Sequence, residues 1–245
     1  MIKAKLKESQ VQGQPQTSEG QSGSPFSLFG CGPRIKRLTT WEPERWQRPK
    51  DPSVAGLPAL TRECMRFHTW EDRGISSVSY ANFVAKQIAR GNLSWGNILV
   101  LAGPKGVGKT HLALAIAWEW FDDGFSVLFT RVDDLLDRLR RGYEDSRYHP
   151  TLDLVRRCGL LVLDDLGAEH AKDWAGEKID RIVDWRYIDR MPLVVTTNAK
   201  SGDLAPRVAS RLGDHSCSVV AQIDAEDYRL GSGLSWESTS GNGTR

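Results

Sequence analysis

Between Gly103 and Thr110 the sequence reads GPKGVGKT. It follows an apolar run, Ile98-Leu-Val-Leu-Ala102, and precedes His111-Leu-Ala-Leu-Ala-Ile-Ala-Trp118, whose composition is helical. A strand, a glycine-rich loop and a helix in that order turn a G-x-x-x-x-G-K-[ST] match into a phosphate site. Glycines let backbone N–H groups close around phosphate oxygens, and the helix adds its unsatisfied donors and the positive end of its dipole. The expected phosphate cradle is Gly103, Pro104, Lys105, Gly106, Val107, Gly108, Lys109 and Thr110. His111 joins it as a structural or phosphate-side contact. Lys109 is placed to reach the β- and γ-phosphates, and the Thr110 hydroxyl to ligate Mg2+. These residues predict nucleotide binding.

A second apolar run, Leu160-Leu-Val-Leu163, ends in Asp164-Asp165, 55 residues after Lys109. Beside a phosphate loop, Asp164 is the candidate metal ligand, directly or through water. Asp165 is the candidate for orienting or deprotonating an attacking water. Two acids at a strand end also cap turns, and Gly167 follows. Asn198 closes the run Leu193-Val-Val-Thr-Thr197, where its amide can position water or simply make a turn. Arg207 and Arg211 lie four apart on one helical face. They form either a salt-bridged surface or, for Arg211, a finger inserted into a neighbouring subunit's nucleotide site.

The totals narrow the classes. Lys and Arg number 33 against 31 Asp and Glu, a formal charge of +2, so nucleic-acid contact must come from local patches. The four cysteines are scattered without a C-x-x-C pair, which fits reduced thiols in a cytoplasmic protein. No apolar run approaches the ~18 residues of a membrane span, and no secretory signal is visible.

Residues 1–60 read as an N-terminal segment outside the domain. Its first part, rich in Gln, Ser and Gly, has the composition of a disordered chain. Between Arg34 and Lys50, six basic residues against two glutamates surround Trp41 and Trp46. That stretch suits a linker, a docking site for an acidic partner or a single-strand contact. Residues 61–230 read as one domain. Helices are expected at Ser76–Arg90 (apolar at Val78, Tyr80, Phe83, Val84 and Ile88), Asp133–Arg141, Leu152–Arg157, Trp174–Arg190 (apolar at Ile179, Ile182, Val183 and Ile188) and Pro206–Leu212. Further strands are expected at Ser126–Thr130 and Ser218–Ala221. Alternating strands and helices imply α/β architecture, with a parallel sheet covered on both faces. Residues 231–245 read as a disordered tail.

Together these pieces resemble the DnaC/DnaI/IstB-type AAA+ ATPases, the helicase loaders and transposition helpers of bacteria and phages. The matching stretches, in order, are Gly103–Leu112, Leu160–Gly167 (LLVLDDLG), Trp185-Arg186-Tyr187, Thr196-Thr197-Asn198, Arg207–Arg211 and Asp227-Tyr-Arg229, with Arg66–Trp70 as an aromatic lead-in. The resemblance implies a P-loop NTPase core with a five-stranded parallel sheet of order 5-1-4-3-2, flanked by helices and without a C-terminal helical lid. It makes Lys109 and Thr110 the Walker A pair, Asp164 and Asp165 the Walker B acids, Asn198 the first sensor and Arg211 the arginine finger. It assigns Arg229 no role. ATP and Mg2+ are the implied cofactors, and ATP would sit at subunit junctions of a homo-oligomer. The leading expectation is an ATP-hydrolysing helicase loader in DNA replication, with single-stranded DNA and a replicative helicase as partners. The alternatives are the same engine serving a transposase, or a nucleotide-gated binding module with negligible turnover. For the DNA contact, Arg138, Arg140, Arg141, Arg147, Arg156 and Arg157 flank Tyr143 and Tyr148, a pattern that also fits a solvated helical face.

Overall fold

The computed structural model describes residues 51–93, 96–144, 146–167 and 173–230. The basic Trp41/Trp46 stretch and the tail after Leu230 therefore lie outside the described residues. Five strands form one all-parallel sheet: β1 (Ile98–Ala102), β2 (Val127–Arg131), β3 (Leu160–Leu166), β4 (Leu193–Thr197) and β5 (Ser218–Gln222), in spatial order β2-β3-β4-β1-β5. From the other edge this is 5-1-4-3-2, the expected order. The apolar strands β1 and β3 lie inside the sheet, where both faces exclude water.

Strand residues alternate between two cores. Leu99 and Leu101 of β1, with Val127, Phe129, Leu160 and Val162, pack under α2 (Ser76–Ala89) and α3 (Lys109–Asp122). Ile98 and Val100, with Leu161, Leu163 and Val195, pack under α4 (Val132–Gly142), α5 (Tyr148–Arg157), α6 (Asp173–Ile188) and α7 (Pro206–Leu212). The side-chain period of two along each strand sorts neighbours to opposite faces. Trp118 and Trp120 of α3 are fully buried, and their indole N–H groups donate to Thr61 Oγ1 and Ile88 O, both at 3.1 Å. Each removes roughly 200 Å2 from water, which makes α3 the anchor of its face.

Three expectations need correction. Ile188 is 62% exposed and Tyr80 38% exposed. In α2 the buried stripe is instead Val78, Ala81, Val84, Ala85 and Ile88, where alanines let the helix lie close to α3. α6 stops at Ile188 because Arg190 adopts φ 51° and Pro192 follows, so Ile188 sits in the last turn, beyond the core. α5 begins at Tyr148, not near Leu152, with Pro150 in its first turn, where a missing N–H costs no helical bond. Among the described residues no helix is long and apolar enough to cross a membrane.

The described end of the N-terminal segment packs on β2. Ala55 and Leu57 are buried, and Phe129 N–H donates to Ala55 O at 2.8 Å, covering the sheet edge. Gly56, at φ +70°, passes so close that a Cβ would overlap the Phe129 carbonyl oxygen. Gly56→Ala should cost about 2 kcal/mol from clash and strained φ together, read as a lower denaturation midpoint with unchanged m-value.

Candidate nucleotide site

The loop 103–108 leaves β1 at the carboxyl edge of the sheet and enters α3, the usual ligand edge of an open parallel α/β sheet. Gly108 has φ +101° at the N-cap of α3, and a Cβ there would press into the Trp70 ring. A Cβ on Gly106 would overlap the Asp227 carboxyl. The loop is thus gripped by two segments far apart in sequence, and glycine is what permits the approach.

The side chains converge on a cleft of about 790 Å3 that contains Lys105 to His111, Arg131, Asp164, Asp165 and Thr196. Its remaining wall comes from Cys64 to Arg73 on one side and Tyr228 and Arg229 on the other. Lys109 is buried, and its ammonium donates to Gly103 O at 2.9 Å and Pro104 O at 2.6 Å. Burial lowers its pKa, opposed by the nearby charges of Asp165 and Asp164. Thr110 Oγ1 donates to Asp164 Oδ1 at 2.9 Å, and Thr196 Oγ1 donates to the same oxygen at 2.7 Å. Burial raises the Asp164 pKa, and these two hydroxyl donors pull it back down. The sheet therefore brings together the expected Walker A residues and the first acid of β3.

Asp165 is held differently. It has φ 62° and lies in a bulge of the β3–β4 pairing between Leu163 and Leu166. Its N–H donates to Thr196 Oγ1 at 2.8 Å, while its carboxylate stays 55% exposed, 3.8 Å from Arg131. An aspartate tolerates this left-handed backbone better than a β-branched residue. The bulge sends two successive acids to the same cleft, where a regular strand would send them to opposite faces.

Asn198 is exposed one residue past β4 and does not line the cleft; Thr196 does. Arg211 lies on α7, outside the cleft of its own chain, with Nε 3.0 Å from Asp184 Oδ1. His111 contacts the lead-in segment through Nε2, 2.9 Å from Arg66 O, and packs edge-on against Trp70.

Several wall residues escaped the sequence reading. Arg73 donates to Glu226 O at 3.1 Å and Val107 O at 3.4 Å, and its guanidinium lies over the Tyr228 ring. Tyr228 N–H donates to Gly106 O at 3.1 Å, and its hydroxyl to Glu71 Oε2 at 3.0 Å. The two ends of the domain thus clasp each other over the loop. Arg229, which sequence left without a role, lines this cleft, close enough to Lys109 to depress its pKa further. Of these, Tyr228 and Arg229 carried a signal, the Asp227-Tyr-Arg229 stretch, whereas Glu71 and Arg73 carried none.

Away from the cleft, Tyr143 and Tyr148 stack with centroids 4.2 Å apart, beside Trp174 at 6.3 Å from Tyr143. Arg138, Arg140 and Arg141 are exposed on α4, and Arg140 lies over the Trp174 ring.

Comparison with known proteins agrees with this geometry. Curated relatives include the insertion sequence IS5376 putative ATP-binding protein of Geobacillus stearothermophilus, 29% identical over 143 residues, covering 55% of each chain. The insertion sequence IS21 putative ATP-binding protein of Pseudomonas aeruginosa is 30% identical over 141 residues, covering 54% of this chain and 52% of the relative. This chain thus spans about half the length of the curated relatives it matches. The replicative helicase loader DnaI of Bacillus subtilis is 30% identical over 110 residues, 44% of this chain and 35% of that one. Among solved structures, the DnaC helicase loader is 28% identical with a TM-score of 0.59, covering 68% of this chain and 100% of that one. The DnaA structure bound to AMPPCP and single-stranded DNA (18% identity, TM-score 0.60, 69% of this chain and 51% of that one) shares the fold. The family model described as IstB-like ATP binding protein matches residues 79–232, and with the fold and the phosphate loop in place the chain belongs to that family.

Proposed function

We propose that this protein is a Mg2+-dependent ATPase that assists a transposase, acting on DNA as an oligomer. The observation that carries the ATPase reading is the meeting of Thr110 and Asp164 at 2.9 Å, with Lys109 next to Thr110 at the start of α3. A hydroxyl and a carboxylate are the hard oxygen donors that Mg2+ takes alongside substrate phosphates. Thr110 and Asp164 would hold that ion, which when bound neutralises phosphate charge. Lys109 exchanges its loop carbonyls for phosphate oxygens. Asp165, exposed and facing the cleft, orients a water and accepts its proton, while Arg131 steadies the carboxylate. Arg211, absent from its own cleft wall, serves the cleft of an adjacent copy.

The choice of client rests on the relatives' names. Two insertion-sequence proteins match over longer stretches than the DnaI loader does. The transposase reading therefore takes precedence over the helicase-loader reading that sequence put first. Capture from the native host, with ATP and the hydrolysis-blocked Asp165→Asn variant, should retain a transposase. Retention of the replicative helicase alone would restore the loader reading.

DNA contact is assigned to the arginine face of α4 beside the tyrosine pair. Arginines neutralise phosphates, and each contact to a single strand contributes roughly 0.7 to the log–log salt slope. Arg140→Ala combined with Arg141→Ala should weaken single-strand binding and reduce that slope by about 1.4. An unchanged slope would place the contact elsewhere.

A further inference from the structure

α6 and α7 are joined by two ion pairs one helical turn apart, Arg207 to Asp180 at 3.2 Å and Arg211 to Asp184 at 3.0 Å. The two arginines are held in different ways. Arg207 reaches its carboxylate with a terminal nitrogen, from a side chain 69% exposed, the geometry of an ordinary surface pair. Arg211 engages Asp184 through Nε, and its guanidinium carbon lies 4.4 Å from the centroid of the Tyr187 ring. The Tyr187 hydroxyl in turn donates to Asp214, just past the end of α7, so the ring is fixed at its far end. A guanidinium is a planar fork. Asp184 engages the Nε edge of the Arg211 fork, and Tyr187 covers one face. Neither contact is the bidentate grip on the terminal nitrogens that would compete with a phosphate.

Resting on the reading of Arg211 as the residue lent to a neighbouring site, we propose that Asp184 and Tyr187 are its positioning residues. They hold the guanidinium in one orientation, so its terminal nitrogens meet the γ-phosphate bound by the adjacent copy of this chain. An arginine free to sample its rotamers has to be ordered in the transition state, and that loss of freedom raises the barrier. A fork already pinned on one edge and one face avoids most of it. Among the described residues no aromatic ring lies over Arg207, one turn away, which serves as the internal contrast.

The test uses mixed oligomers of the full chain, assayed for ATP turnover with single-stranded DNA present. Lys109→Ala chains cannot turn over ATP themselves but can lend Arg211. Arg211→Ala chains keep an intact cleft but lend nothing. Mixed together they should turn over ATP above either alone. Adding Asp184→Asn to the lending chain should lower the mixed kcat about tenfold with KM for ATP unchanged, since the receiving cleft is untouched. Tyr187→Leu in the lending chain should do the same, whereas Tyr187→Phe, which keeps the ring, should stay within about twofold. Asp180→Asn, which breaks the neighbouring pair, should leave kcat unchanged at a similar melting temperature. The proposal is overturned if Asp184→Asn and Asp180→Asn act alike, or if Asp184→Asn raises turnover, which would make Asp184 a restraint. If Lys109→Ala chains never restore turnover to Arg211→Ala chains, the lending role of Arg211 itself fails, and the positioning role with it.

Discussion

Lys109→Ala is expected to reduce ATP turnover at least about 10³-fold while leaving the fold intact. Lys109 is buried at the start of α3, where burial lowers its pKa and the charges of Asp165 and Asp164 oppose that shift. Its present partners are the carbonyls of Gly103 and Pro104, weaker acceptors than a phosphate. Removing the ammonium therefore takes away transition-state stabilisation without breaking any ion pair that secures the domain. Melting of the variant should stay within about 1 kcal/mol of the parent, because loss of two loop hydrogen bonds is offset by relief of a desolvated charge. A variant that melts normally and still hydrolyses ATP at the parent rate would remove Lys109 from the chemistry.

Arg211→Ala is the second large effect, and it should differ in kind. An arginine supplied to a phosphoryl-transfer site contributes about 10³–10⁵ in kcat. Because Arg211 does not line its own cleft, ATP affinity of the isolated chain should be unchanged. The two variants thus separate along the two parameters. Lys109→Ala should fail in binding and turnover, and Arg211→Ala should fail in turnover alone. A fall in ATP affinity for Arg211→Ala in a dilute monomer would mean that the residue acts within its own chain.

The parts of the site legible in the sequence are those in which one local pattern contains the whole device. The loop 103–110 is such a part, since strand, glycines, Lys109 and the helix start are contiguous. Asp164 is legible because an apolar run ending in two acids, once that loop precedes it, marks the strand that carries a carboxylate to the Thr110 hydroxyl. What no local pattern carries is the bulge that turns Asp165 to the side of Asp164, which arises from mismatch with β4. The clasp of Glu71, Arg73 and Tyr228 over the loop joins residues more than 150 positions apart. A strand-end amide is a stronger chemical signal than a strand threonine, so the sequence points to Asn198, while the structure turns the Thr196 hydroxyl to Asp164. Tyr80 and Ile188 match a helical spacing that other residues on the same helices satisfy better. Such a pattern shows that an amphipathic helix exists without fixing its rotation to the nearest residue.

Calorimetric titration of ATP into the full chain, with Mg2+ and then with excess EDTA, tests the central claim most directly. A nucleotide and its metal lodged between Lys109 and Asp164 predict one site per chain, weakened by chelation. They also predict that Asp164→Asn loses most of the Mg2+ dependence of ATP binding, since only neutral oxygen donors remain beside Thr110 to hold the ion. Binding by the parent that ignores both chelation and Asp164→Asn, or no binding at all, would contradict the account.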